Sequence, residues 1–291
     1  MKKLLVTGVS GFLGWHLAQL AQGEWDVYGT YLAHGANISN TKLSKVDLTN
    51  FVELKQLFQE IQPDAVIHTA AQSSPNFCQA NPEICYPINV TASHNLAGLC
   101  ADAGIPCVFT SSDNVFDGLN PPYRETDAVC PINYYGEQKV LAEEGMQARY
   151  PATAICRMPL MFGAATPTAK SFIQPFIEIL RTEKELKLFT DEIRTTVSAT
   201  TAAKGLLMAL GKVQGYLHLG GKERISRYEI GCLLIEVLQL PTTGIQPCKQ
   251  QDFTMAAPRP PDVSLDSSWA FSIGYAPLSV REELEILQHK L

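Results

Sequence analysis

The feature that most constrains this chain lies within its first fourteen residues. A short apolar run, Lys3–Thr7, ends in Thr7-Gly8-Val9-Ser10-Gly11-Phe12-Leu13-Gly14, and helical spacing begins at once, with Leu13, Leu17, Leu20 and Ala21 on one face. Glycine in this order permits a tight turn, then close approach of backbone to a pyrophosphate, then close packing of helix on strand. The new helix turns unsatisfied N–H groups and a partial positive charge toward whatever sits at its start. The spacing is G-x-x-G-x-x-G. Gly8, Ser10, Gly11, Phe12, Leu13 and Gly14 are therefore candidate contacts for a dinucleotide.

The rest of the first half repeats the alternation. Strands are expected at 26–31, 45–47, 65–69, 107–111 and 152–157, with helices at 12–22, 49–62 (capped by Thr49), 89–103 and 133–149. Strand followed by crossover helix implies an α/β fold of Rossmann type, a doubly wound parallel sheet with its ligand crevice beyond the carboxyl ends of the strands. After Arg157 the pattern loosens around Pro159, Pro167 and Pro175. Helices resume near 172–180, 200–210, 226–238 and 280–290, the last two opened by capping boxes, Ser226 with Glu229 and Ser279 with Glu282. The division expected is a dinucleotide-binding domain over 1–157 and a smaller, interleaved substrate lobe over 158–291, with segments near 197–222 returning to the first.

The second strand ends Gly29-Thr30-Tyr31-Leu32, with no carboxylate to bond a ribose 2′-OH and no Arg to attract a 2′-phosphate. A 2′-phosphate is not repelled there, so NADP(H) is favoured over NAD(H). Thr30 and Tyr31 are placed at this end, and Asp47 and Leu48, after the third strand, are placed beside the adenine.

Tyr135 and Lys139 stand four apart on an expected helix and share a face, whereas Tyr134 points elsewhere. A cation beside a phenol favours the phenolate and should lower the tyrosine from its ordinary value of about 10, making Tyr135 a usable general acid. Ser111-Ser112 closes the preceding strand, where a hydroxyl can bond a carbonyl oxygen.

On these residues the chain resembles the extended short-chain dehydrogenases/reductases, and within them the dTDP-4-dehydrorhamnose reductase-like branch. The resemblance rests on the glycine turn, Ala70-Ala71 after the fourth strand, Ser111 to Gly118 (SSDNVFDG), Pro122 to Asp127 (PYRETD), Pro131 to Gly136 (PINYYG), Lys139 and Arg157. It implies that Tyr135 gives a proton to a substrate carbonyl while Ser112 orients it. It also implies that Lys139 bonds the nicotinamide ribose, that Asn89 supports a proton relay, and that Ala70 and Ala71 border the cofactor. The implied substrate is a nucleotide sugar, contacted by Ser112 and Asp113, with Arg194 and Arg259 from the second lobe as candidates to clamp a diphosphate. The segment after the fourth strand, Gln72 to Cys78, departs from the acidic, Thr-containing pattern common in the rhamnose-pathway reductases. Asp113-Asn114 lacks the Glu that dehydratases of the group use. An epimerase that retains its dinucleotide, and a regulatory subunit like the β subunit of methionine adenosyltransferase, remain alternatives.

Composition narrows the partners. The chain of 291 residues has a formal net charge of −6 and no basic run, which argues against nucleic acid and anionic membranes. No apolar stretch approaches the ~20 residues of a membrane span and no signal peptide is evident, so a cytoplasmic protein, with a homodimer as the candidate assembly, is expected. The eight cysteines form no CxxC pair and the six histidines no cluster, so no metal site is expected. His68, within an apolar strand, reads as a core histidine.

Overall fold

The computed structural model describes every residue except 36, 183, 242 and 243. In the first half the elements run β1 (Lys3–Thr7), α1 (Phe12–Ala21), β2 (Asp26–Tyr31), β3 (Thr41–Lys45), α2 (Phe51–Ile61) and β4 (Ala65–His68). Next come α3 (Pro75–Ala80), α4 (Pro82–Tyr86), a π-helical turn at Pro87–Thr91, α5 (Ala92–Ala103), β5 (Cys107–Ser112), α6 (Tyr134–Arg149) and β6 (Ala154–Met158). The second half contributes β7 (Met161–Phe162), α7 (Ile173–Arg181), β8 (Leu186–Phe189), β9 (Ile193–Arg194), β10 (Val197–Ser198), α8 (Ala199–Ala209) and β11 (Gly215–His218). It closes with β12 (Ile225–Ser226), α9 (Arg227–Leu238), β13 (Ile245–Cys248), α10 (Ser268–Ser272) and α11 (Val280–Leu287).

Seven strands form one sheet in the order β11-β6-β5-β4-β1-β2-β3, every neighbouring pair parallel. The strand order reverses at β1, which places the crevice between β1 and β4. Leu4, Leu5 and Val6 are fully buried because helices cover both faces. On one side Leu4 and Val6 join Leu13 and Leu17 of α1 and Ala202 and Leu206 of α8. On the other, Leu5 and Val66 meet Leu96 of α5 and Met146 of α6. A separate core, with Phe162, Ile177, Leu234 and Leu284, holds α7, α9 and α11 together.

Local expectations fail where side-chain signals are weak. The third strand runs from Thr41 to Lys45 rather than over 45–47; it is a half-exposed edge of polar residues, Thr-Lys-Leu-Ser-Lys, and carries no apolar run. Asn50, not Thr49, caps α2, accepting from the Val52 and Glu53 amides. The Thr49 hydroxyl is already committed to Asp47 Oδ1 at 2.7 Å. Both capping boxes form, at Ser226 and at Ser279.

Candidate active site

The end of β1 is tied to the end of β4 by short polar contacts. Thr7 Oγ1 meets His68 Nδ1 at 2.6 Å and accepts from the Thr69 amide at 3.2 Å, while Thr69 Oγ1 donates to the Thr7 carbonyl at 2.6 Å. His68 is fully buried against Ser93 as well, and desolvation takes it down to about 3, so it is a neutral core histidine. This bracing brings Ala70 onto the glycine turn. Gly8 has φ +72°, and a Cβ there would lie 2.7 Å from Ala70 Cα. At Gly14 a Cβ would lie 2.3 Å from the Gly8 carbonyl oxygen. Glycine is thus required at both positions, and the Gly11 amide closes the turn on Gly8 O at 2.9 Å.

Two clefts meet at this turn, sharing Gly8, Gly11, Thr69 and Ala71. The first, about 290 Å³, brings together Ser10, Thr30, Tyr31, Asp47, Leu48 and Ala70. The second, about 430 Å³, is lined by Phe12, Leu13 and Gly14 on one side and by Ser112, Asp113, Tyr135 and Lys139 on the other. A backbone cradle free of side chains, at a helix start and leading to a hydroxyl–phenol–amine group, fits a nicotinamide dinucleotide laid across both.

In the second cleft Asn133 caps α6 by accepting from the Gly136 amide, and Tyr135 and Lys139 follow on the buried face. Tyr134 is 41% exposed and outside the cleft. Lys139 Nζ donates to the Thr110 carbonyl at 2.8 Å and lies 5.9 Å from the centre of the Tyr135 ring. The expected tuning of Tyr135 by Lys139 is not what sets its ionisation. Burial pushes the phenol up, the neighbouring Ser112 hydroxyl opposing in part, and burial also takes the Lys139 amine down to about 8. Desolvation outweighs mutual attraction because the pair is enclosed and the ammonium faces a backbone carbonyl.

Ser112 Oγ accepts from the Asn114 amide at 3.2 Å and donates to Asp113 Oδ1 at 3.2 Å. Asp113 is buried and held above the usual carboxylate range by desolvation, with Arg194 Nε at 3.5 Å pulling the other way. Ser111 Oγ and Asn114 Oδ1 are buried without a hydrogen-bond partner among the described residues, and Asp113 Oδ2 has only the Arg194 ion pair.

The arginines divide. Arg194 lines the cleft, but Nη1 donates to the Ile193 carbonyl at 2.6 Å and Nη2 to Pro260 O at 3.0 Å, so its guanidinium braces the chain rather than standing free to clamp an anion. Arg259 donates from Nη2 to Asn76 Oδ1 at 3.0 Å, and its buried Nη1 has no hydrogen-bond partner among the described residues. Arg227 also lines the cleft and escaped sequence reading. It pairs with Glu192 at 2.9 Å and stacks 4.5 Å from Phe172. The one local signal for it is its place directly after the capping Ser226, which fixes where it enters α9.

Asn89 sits on the π turn, not in a regular helix as expected. Its Nδ2 donates to Gln138 Oε1 at 2.8 Å and its Oδ1 accepts from the Gln72 amide at 2.9 Å. It bridges α6 to the segment after β4, and its hydrogen bonds reach neither Tyr135 nor Lys139 among the described residues.

Among the described residues no helix is long and apolar enough to cross a membrane and no cluster of His, Cys, Asp and Glu is placed to hold a metal ion. The cysteines are free thiols, with Cys78, Cys85, Cys100, Cys107 and Cys156 buried.

The family model described as RmlD substrate binding domain matches residues 1–290. The methionine adenosyltransferase 2 subunit beta of Xenopus laevis is 28% identical over 275 residues, spanning 92% of this chain and 81% of that one. A hypothetical dTDP-4-dehydrorhamnose reductase from Sulfolobus tokodaii superposes with a TM-score of 0.84 and 31% identity, covering 96% of this chain and 98% of the other. The dTDP-4-dehydrorhamnose reductase of Bacillus anthracis, solved in complex with NADP, superposes over 100% of both chains with a TM-score of 0.88 and 22% identity.

Proposed function

Because this chain belongs to the RmlD substrate binding domain family, in the dTDP-4-dehydrorhamnose reductase-like branch of the extended short-chain dehydrogenases/reductases, we propose that it is an NAD(P)H-dependent reductase of a keto sugar nucleotide or a related carbonyl compound. The observation that carries this reading is the convergence of Ser112, Tyr135 and Lys139 on the cleft that continues from the glycine turn. A nicotinamide dinucleotide held along the glycine turn and the cleft beyond it would supply the hydride. Tyr135 donates its phenolic proton to the carbonyl oxygen, and its burial keeps that proton in place until it is needed. The Lys139 ammonium, held by Thr110 O, stabilises the phenolate left behind. Ser112, itself oriented by Asn114 and Asp113, presents its hydroxyl to the same carbonyl. Arg259, with Nη1 uncommitted, is the better placed of the two expected arginines for a substrate phosphate.

The test is oxidation of reduced dinucleotide with a panel of 4-keto nucleotide sugars. Tyr135→Phe should lower kcat by roughly two to four powers of ten while leaving dinucleotide affinity nearly unchanged. Normal turnover by Tyr135→Phe would remove the assignment. A second reading, as a subunit of a larger enzyme, is favoured by the relative named as a subunit beta. No turnover on the panel, with stable capture of a methionine adenosyltransferase catalytic chain, would establish that reading instead.

A further inference from the structure

The first cleft carries a charge pattern that discriminates between the two dinucleotides. In a sheet of this order the turn after the first strand receives the pyrophosphate, and the end of the second strand faces the 2′ position of the adenosine ribose. Here those positions are Ser10 and Thr30-Tyr31-Leu32. The Thr30 hydroxyl is buried and accepts from the Gly8 amide at 3.3 Å. Leu32 is apolar and 53% exposed. Among the described residues no Lys or Arg lines this cleft, and its one acidic side chain is Asp47. The Asp47 carboxylate is held in place through Oδ1, which accepts from the Thr49 amide at 2.9 Å and from its hydroxyl at 2.7 Å. Of the two lysines of β3, one is paired elsewhere and the other is the register partner of Tyr31. Lys42 pairs with Asp26 at 2.7 Å at the opposite end of the strand, and Lys45 is exposed and outside the lining.

A 2′-phosphate adds negative charge and several acceptor oxygens, which proteins ordinarily meet with Arg or Lys. Among the described lining residues it would find no cation, Lys45 beside Tyr31 being turned to solvent, and it would share the space with Asp47. The lack of a carboxylate at the end of β2 argues in sequence for NADP(H). Against that stands the Asp47 carboxylate at the end of β3, which lines the same cleft.

We propose that the cleft selects NAD(H) over NADP(H), with Tyr31 at the 2′ position and Asp47 as the residues that set the preference. The inference rests on dinucleotide binding but not on turnover, so it stands apart from the reductase reading.

The test is titration of the purified, substrate-free protein with NADH and with NADPH at pH 8, followed by nicotinamide fluorescence and by calorimetry. NADH should bind at least about tenfold more tightly. Tyr31→Arg should tighten NADPH by about tenfold or more with little change for NADH, and Asp47→Asn should tighten NADPH several-fold. NADPH binding as tight as NADH, or tighter, in the unaltered protein overturns the proposal. So does failure of both to bind, which would also remove the dinucleotide site. NADH-selective binding without turnover on any keto sugar would support the proposal while removing the reductase reading.

Discussion

Tyr135 and Lys139 occupy successive turns of one helix, yet enclosure rather than mutual charge governs both. Lys139 is brought to about 8 from an ordinary 10.5. The unfolded chain therefore holds more protons than the folded one between those two values, and stability should rise as pH climbs through that window. Below about pH 8 the amine is charged in both states and the burial penalty is felt in full. A shift of this size corresponds to about 3 kcal/mol. Between pH 7.5 and 10 the unaltered protein should gain stability by that order relative to Lys139→Met in denaturant melts. A difference between the two that does not vary with pH would show that the amine is not depressed. The pairing itself was legible in sequence because a four-residue interval on a helix dictates a shared face, which also excluded Tyr134. The fate of Arg194 was not. Its partners are the backbone carbonyls of Ile193 and Pro260, and a carbonyl leaves no trace in residue identity. Arg227 was hidden for a related reason: β9 and β12 must pair antiparallel before Glu192 can meet it.

Among the elements, α1 was the most legible because its start is dictated by backbone geometry. An alanine at Gly14 would improve helix propensity by about 1 kcal/mol. Its Cβ, however, would lie 2.3 Å from the Gly8 carbonyl oxygen and 2.8 Å from Thr69 Oγ1, and both belong to the braced ends of β1 and β4. Overpacking of this kind costs about 1–3 kcal/mol, so the clash should win. Gly14→Ala should lower Tm and weaken NADH binding by about tenfold or more, because the start of α1 would move off the turn proposed to receive the pyrophosphate. An unchanged or raised Tm with intact binding would mean that the turn yields at no cost. The β3 edge and the π turn were the illegible elements. A half-exposed edge strand needs no apolar run, and the extra residue of a π turn is absorbed by contacts such as those of Asn89 with Gln72 and Gln138, which are distant in sequence.

At the scale of the molecule, the sheet is completed by a strand from the second half. β11 pairs with β6 from Gly215↔Ala154 to His218↔Arg157, and α8 covers the same face of the sheet as α1. The sequence reading took segments near 197–222 to return to the first domain, but the strand's neighbour in the sheet was not marked, since parallel partners are joined through long crossovers. A buried ion pair, Arg157 with Glu143 at 2.8 Å, lies beneath the same edge, with Tyr216 of β11 stacked 4.5 Å from the guanidinium. A chain ending at residue 157 would leave β6 as an open edge. It would also expose Leu13, Leu17 and Ala18, which meet Ala202, Ala203 and Leu206 in the intact protein. Fully burying one aliphatic side chain contributes about 1.5–3 kcal/mol, and a domain's whole net stability is only about 5–15 kcal/mol. Uncovering this layer should therefore be enough to abolish cooperative folding. Residues 1–157 expressed alone should melt without a cooperative transition and fail to bind NADH, and co-expression with 158–291 should restore both. Cooperative melting with intact NADH binding by the fragment alone would show that the first six strands already close their own core.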